Sequence, residues 1–126
     1  MKTVISQETL SETEAVIEGV SFAKLINDEV MRNCDCDLNA PLVEIVTSFG
    51  DTAEGIRRFN YEVDKLIIEL SGKGIIININ DIIFISDGKG KLYAIFVVNP
   101  SENVKFQFIP DNGYMKVMII YRQIQE

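Results

Sequence analysis

Residues 63–98, VDKLIIELSGKGIIININDIIFISDGKGKLYAIFVV, contain the change of hydrophobic period that decides the fold. Before Gly72 the apolar residues recur every three or four positions, as on one face of an α-helix. After Gly74 they recur at every second position or run continuously, as in β-strands. Because glycine is typical just past the C-terminus of a helix, residues 71–74 predict a helix end. The sequence therefore predicts helices before this point and strands after it.

The first predicted helix runs from Ser11 to about Asn33. Ser11 and Glu14 fit a capping box, and Thr9 with Glu12 fits an alternative start. Apolar residues with helical spacing support this helix: Val16, Val20, Ala23, Ile26 and Val30.

Two further segments complete the predicted helical region, residues 11–72. Residues 41–48 fit either a short helix that begins with Pro41 or a strand. Asp51 and Glu54 fit a capping box for the last helix. Its apolar stripe consists of Ile56, Phe59, Val63, Leu66, Ile67 and Leu70.

Four or five strands are predicted between residues 75 and 124. Their connections are too short for parallel crossovers, so the strands should form an antiparallel meander. The predicted architecture is a single α+β domain over residues 11–126, with residues 1–10 as a polar lead-in. The strand segments are Ile75–Ile79, Ile82–Ser86, Lys91–Val98, Val104–Ile109 and Tyr114–Ile124.

Some of these strands are apolar on both faces. In the segment 91–98, Ala94 and Phe96 face one way while Tyr93 and Ile95 face the other. Leaving such side chains in water costs roughly 1.5–3 kcal/mol each, so both faces need a cover. The helices cover one face. The other is closed by another subunit, by the first segment of the chain, or by a strongly coiled sheet, and we expect a homo-oligomer built on the sheet.

The composition excludes several classes of function. The chain has 126 residues with 19 acidic and 12 basic side chains, a net charge of −7 and no histidine. This charge argues against direct binding to nucleic acid or to an anionic membrane. Histidine is the commonest general base and the commonest metal ligand, and it is absent. The sequence shows neither a signal peptide nor an apolar span of membrane length, so we expect a cytoplasmic protein.

The negative charge is concentrated near the start of the chain. Residues 1–37 contain eight acidic and three basic side chains. An acidic helix face could bind a partner protein with a basic surface, and the alternative is a solvated face that keeps the protein soluble. The candidate partner-binding residues are Glu12, Glu14, Glu18, Asp28 and Glu29.

The loop after the first helix has a weak calcium-like spacing. Oxygen-bearing side chains stand at alternate positions and a glutamate follows, as in a cation loop between two helices. Leu38 stands where such a loop needs glycine, so a plain polar loop is the alternative. Cys34 and Cys36 are too few for a structural zinc site, and no cofactor is predicted. The candidate metal ligands are Asn33, Asp35, Asp37, Asn39 and Glu44.

These observations favour a non-enzymatic, cytoplasmic protein–protein interaction module, such as a small acidic regulator, adaptor or inhibitor. One alternative is a ligand-binding domain with an apolar pocket between sheet and helix. A third hypothesis is a metal-assisted enzyme that uses carboxylates. The pocket would be lined by Phe84, Tyr93, Phe96, Phe106, Phe108 and Tyr121.

Overall fold

The computed structural model describes residues 2–6, 14–16, 20–33, 40–49, 52–101, 104–111 and 114–125. Across these residues the fold is mixed α+β, with two α-helices and antiparallel strands. The helices are α1 (Val20–Asn33) and α2 (Ala53–Gly72). The strands are β1 (Lys2–Ser6), β2 (Glu14–Val16), β3 (Val43–Phe49), β4 (Ile83–Ser86), β5 (Lys91–Val97), β6 (Val104–Asp111) and β7 (Tyr114–Gln125).

The strands form two sheets, each built around one central strand. In the first, here called the β5 sheet, β5 pairs with β3 along one edge and with β4 along the other. In the second, the β7 sheet, Tyr121 pairs with Val104 of β6 and with Ser6 of β1. Because a strand has only two edges, β1 and β6 lie on opposite sides of β7. Since β2 and β6 also pair with the same residues of β7, β2 shares the edge that β1 occupies.

A first core lies between the β5 sheet, helix α1 and the β7 sheet. Helix α1 places an apolar stripe in this core, as its spacing of three and four residues requires. Tyr93 and Ile95 reach the core from β5, and Met115, Val117 and Ile119 reach it from β7. The α1 residues are Phe22, Ile26 and Val30.

A second core lies on the opposite face of the β5 sheet, under helix α2. Ala94 and Phe96 of β5 contribute to it, and both are fully buried. The predicted opposition of Tyr93 and Ile95 to Ala94 and Phe96 is thus confirmed. Both faces of this sheet are covered by elements of the same chain. The buried α2 residues are Phe59, Val63 and Leu70.

The caps of α2 fix where the helix begins and ends. The hydroxyl of Thr52 accepts a hydrogen bond from the backbone N–H of Gly55 at 3.1 Å. The predicted cap, Asp51, lies outside the described residues. At the other end the N–H of Ile75 donates to the carbonyl of Leu70 at 2.9 Å, and Gly74 has a φ of +84°. This is a Schellman motif, which confirms the predicted helix end.

The structure corrects the predicted start of the chain. Lys2–Ser6 is a strand and not a polar lead-in, and Glu14–Val16 is a strand where a helix was predicted. Helix α1 begins at Val20 and not at Ser11, which lies outside the described residues. The physical reason is that β7 is longer than β6 and has a second edge, and pairing with β1 and β2 satisfies backbone groups there.

The structure also distinguishes between the two alternatives for residues 41–48 and corrects the prediction for residues 75–79. The ambiguous residues 41–48 contain strand β3, whose β-branched residues pair with β5. The predicted strand Ile75–Ile79 is wrong, because residues 75–78 belong to neither sheet of the described chain and a 3-10 turn, Ile79–Asp81, follows them. The side chain of Asn78 accepts a hydrogen bond from the N–H of Asn80 at 3.0 Å and so initiates the turn. The other four predicted strands are confirmed, with small differences at their ends.

The turn between β4 and β5 is organised by one carboxylate. Asp87 accepts hydrogen bonds from the backbone N–H of Lys91 at 3.0 Å and of Lys89 at 2.7 Å. The N–H of Lys91, followed by that of Lys89, lowers the pKa of Asp87 below its ordinary value. Gly88 and Gly90 have φ values of +72° and +93°, which this turn needs and which glycine adopts without strain.

Candidate functional site

The predicted acidic surface is divided between different elements. Glu14 lies on β2, so the prediction that it shares a helix face with Asp28 and Glu29 is wrong. Glu12 and Glu18 lie outside the described residues. On α1, Asp28 is exposed, while Glu29 forms an ion pair with Arg32 one turn away. Of the three described acids, two lie together on α1, and the charge of Glu29 is compensated by Arg32.

The predicted cation loop does not join two helices. Asn33 is the last residue of α1, but Glu44 lies on strand β3, so the helix–loop–helix arrangement is wrong. Asp35, Asp37 and Asn39 lie outside the described residues, as do both cysteines. Within the described ranges no group of three or more acidic or cysteine side chains could hold a metal ion. Cation binding by the loop itself stays a prediction.

The predicted pocket aromatics lie on different sides of the β5 sheet. Tyr93 belongs to the first core, and Phe106 and Phe108 pack against the same core. The rings of these two phenylalanines are stacked, with their centroids 6.1 Å apart. Phe96 belongs to the second core. Phe84 is 49% exposed and contacts the ring of Phe59 edge-on. These five side chains therefore cannot line one common pocket, and the side chain of Tyr121 is not among those that the structure describes.

A different surface stands out, the face of α2 that points away from the core. Tyr61 is 64% exposed and Ile68 is 71% exposed. With about 100° of rotation per residue, both lie about 180–200° around the helix from the buried Phe59. They are two turns apart, a spacing of about 10 Å. Two large apolar side chains therefore stand in line on the solvent side of an otherwise amphipathic helix.

Charged side chains flank Tyr61 and Ile68 on both sides. Arg57 and Asp64 lie on one flank, and Glu54 and Lys65 lie on the other, by the same helical geometry. None of the charged side chains of α2 forms an ion pair with another described residue; the ion pair between Arg32 and Glu29 lies on α1. The complete set of charged residues on α2 is Glu54, Arg57, Arg58, Glu62, Asp64, Lys65 and Glu69.

This outer face of α2, defined by Glu54, Arg57, Tyr61, Asp64, Lys65 and Ile68, is held in place by well-formed local structure. Both helix ends are capped, and the opposite face of the helix is anchored in the second core. The sequence does contain the signal for it, because Tyr61 and Ile68 fall outside the apolar stripe that begins at Ile56. Sequence reasoning concentrated on the stripe and missed the two residues opposite it.

Comparisons with protein-family models, with curated proteins and with solved structures gave no match to this chain. Among the helices of the described residues, none combines the length and the apolar character needed to cross a membrane.

Proposed function

We propose that this protein is a non-enzymatic, cytoplasmic interaction module, a small regulator or adaptor, which self-associates through the outer face of α2. The observation that carries the proposal is the exposure of Tyr61 and Ile68 on the outer face of α2, opposite the second core. Covering such side chains removes apolar surface from water and favours association by about 25 cal/mol per Å². Aromatic and aliphatic side chains at the centre of a patch with a charged rim are the usual composition of an interface.

The covering of the β5 sheet supports a contact on α2 in place of one on that sheet. The apolar strands suggested self-association through a sheet, but both faces of the β5 sheet are already buried by α2, α1 and the β7 sheet. The unburied apolar side chains of α2 now provide a more direct reason for a contact. A helix-to-helix contact is a small interface, so we expect a dissociation constant on the order of 10–100 μM.

The occupant that fits this face best is a second copy of the chain. The protein carries a net charge of −7, so two copies repel each other over most of their surfaces. Helix α2 is an exception, with four acidic and three basic side chains. A nearly neutral face with both signs of charge lets two copies approach where the general repulsion is smallest.

Sedimentation velocity at protein concentrations from about 1 μM to about 1 mM tests this proposal. We expect the weight-average mass to rise above 14.2 kDa with concentration. The double variant Tyr61→Ala, Ile68→Lys should stay monomeric over the whole range. Met31→Lys is the matched control, because Met31 is also apolar and 54% exposed but lies on α1. A wild-type chain that is monomeric throughout, or a Met31→Lys variant that loses association equally, overturns the proposal.

A further inference from the structure

We infer that two copies pair through α2 in an antiparallel arrangement, with the two-fold axis beside Asn60. This inference rests on the proposed self-association and adds its geometry. The observation is the order of charges along α2, in which acidic and basic residues exchange places on either side of Asn60. A helix with that pattern is complementary to a reversed copy of itself.

Two-fold symmetry determines which residues of the two helices lie level with each other. In an antiparallel pair, a residue some positions before the axis lies level with the residue the same number of positions after it on the other copy. Arg57 is three positions before Asn60, and Asp64 is four positions after it. The mismatch of one position is about 1.5 Å, well within the reach of both side chains. Each copy's Arg57 therefore lies beside the other copy's Asp64.

Four of the five remaining charged residues of α2 follow the same centre, Glu69 being the exception. Glu54 is six positions before Asn60 and Lys65 is five positions after it. The symmetry brings equivalent flanks of the two helices together, so this pair forms on the flank opposite Arg57 and Asp64. Nearer the rim, Arg58 and Glu62 are each two positions from Asn60. All three pairs of opposite charge thus share one centre, and each forms twice.

The exposed apolar residues are covered by the same arrangement. Tyr61 is next to the axis, so the two tyrosine rings meet at the centre of the contact. Ile68 is eight positions after Asn60 and lies level with Thr52, the cap residue at the start of the other copy's helix. Both large side chains that are exposed on the outer face become contact residues.

Other arrangements of the two helices are disfavoured by the same charges. In a parallel pair with two-fold symmetry opposite flanks of the two helices meet, so Arg57 adjoins both Glu54 and Arg58 of the other copy. Like and opposite charges are then mixed, whereas the antiparallel pair brings opposite charges together in all three pairs. Sliding the antiparallel pair by two turns in one direction brings the two Arg57 residues level. Sliding it two turns in the other direction does the same for Asp64. The charge order therefore favours the antiparallel orientation and this register.

A charge-swap experiment tests the pairing. Arg57→Glu and Asp64→Arg should each weaken self-association about tenfold, because each creates two like-charge contacts. The double variant, Arg57→Glu with Asp64→Arg, should restore it to within about threefold of wild type, because the pairs re-form with reversed signs. Lys24→Glu is the control for net charge, since Lys24 is an exposed base on α1, and it should change association much less.

Spin-label distances test the orientation independently. In a background with Cys34→Ser and Cys36→Ser, a label at Asn60→Cys is compared with a label at Gly72→Cys. The antiparallel pair predicts a short distance for the first and one longer by up to about 35 Å for the second, since Gly72 is twelve positions from the axis. Similar distances at both positions, or a charge swap without rescue, overturn the inference while self-association itself stands. Absence of self-association in the wild type overturns the proposed function together with this inference.

Discussion

The side chain of Asn27 joins helix α1 to the first residues of β3, and its removal should destabilise the protein measurably. Its Oδ1 accepts hydrogen bonds from the N–H of Leu42 at 2.9 Å and of Val43 at 3.2 Å. Its Nδ2 donates to the carbonyl of Val43 at 3.1 Å. Leu42 and Val43 are almost completely buried, so water does not easily replace these bonds.

For Asn27→Ala the loss of three hydrogen bonds costs about 3 kcal/mol, at about 1 kcal/mol for each bond. Alanine recovers about 0.6 kcal/mol because it is a better helix former than asparagine. We therefore expect the free energy of unfolding to fall by about 2–3 kcal/mol. Urea denaturation followed by circular dichroism, at a concentration where the chain is monomeric, measures this loss. The midpoint should fall while the dependence of the unfolding free energy on urea concentration stays the same.

Two further variants separate the contributions. Asn27→Asp keeps the oxygen acceptor for both N–H groups but cannot donate to Val43, so its loss should be smaller than that of the alanine variant. Asn60→Ala is the matched control, because Asn60 is exposed on α2, and it should gain a few tenths of a kcal/mol from helix propensity. An Asn27→Ala variant as stable as Asn60→Ala would refute the role assigned to these hydrogen bonds.

Three other measurements check the fold and the turn. Gly72→Ala should raise the free energy of unfolding by about 0.5–1 kcal/mol and Gly74→Ala should lower it by about 1 kcal/mol. A Cβ meets nothing within 4 Å at either position and only Gly74 has a positive φ, so thermal melts that shift in the same direction would contradict this account. Phe96→Ala should cost about 3–5 kcal/mol in urea denaturation and the half-exposed Phe84→Ala about 1 kcal/mol, and equal losses would remove the distinction between core and surface. Because the pKa of Asp87 is lowered in the folded state, its contribution to stability is present above about pH 4 and is lost as the pH falls through the folded-state pKa. The urea midpoint of Asp87→Asn should therefore change less between about pH 5 and pH 2 than that of the wild type, and parallel curves would exclude the carboxylate as a cause.

Local patterns predicted the parts of the fold that depend on neighbouring residues. The stripe from Ile56 to Leu70, the glycines after it and the alternation in Val104–Ile109 each specify an element within one stretch of chain, and the structure contains all three. Pairing between distant segments was not predictable in this way. The strands Lys2–Ser6 and Glu14–Val16 form because the backbone groups along one edge of β7 need hydrogen-bond partners. Nothing in the hydrophobic spacing of these two segments reveals that edge.

The division into two sheets has a similar cause. The short connection after β5 suggested a hairpin with β6, and therefore a continuous meander. Both edges of β5 are already occupied, by β3 and by β4, so β6 pairs with β7 in another sheet. Only the long-range pairing of β3 with β5 makes this clear. The acidic candidates Glu14 and Asp28 lie on different elements for the same reason, because strand β2, which contains Glu14, pairs with β7.

The outer face of α2 could have been found from the sequence, because it depends on a single helix. Tyr61 and Ile68 are visible as apolar residues on the polar side once the helix is drawn. What the sequence could not supply is the knowledge that no other part of the described chain buries them. That required the placement of both sheets and of α1.

The arrangement of strands also sets an order in which the molecule can fold. The β5 sheet and α2 come from residues 43–97, a continuous stretch whose connections are mostly short. The β7 sheet needs β7, which follows every other element, and its pairing with β1 joins Lys2 to Gln125. Closing so long a loop costs more entropy than closing the hairpin of β4 and β5. During synthesis on the ribosome, the β5 sheet and α2 can form before β7 has been made. The pairing of β1 with β7 then completes the fold.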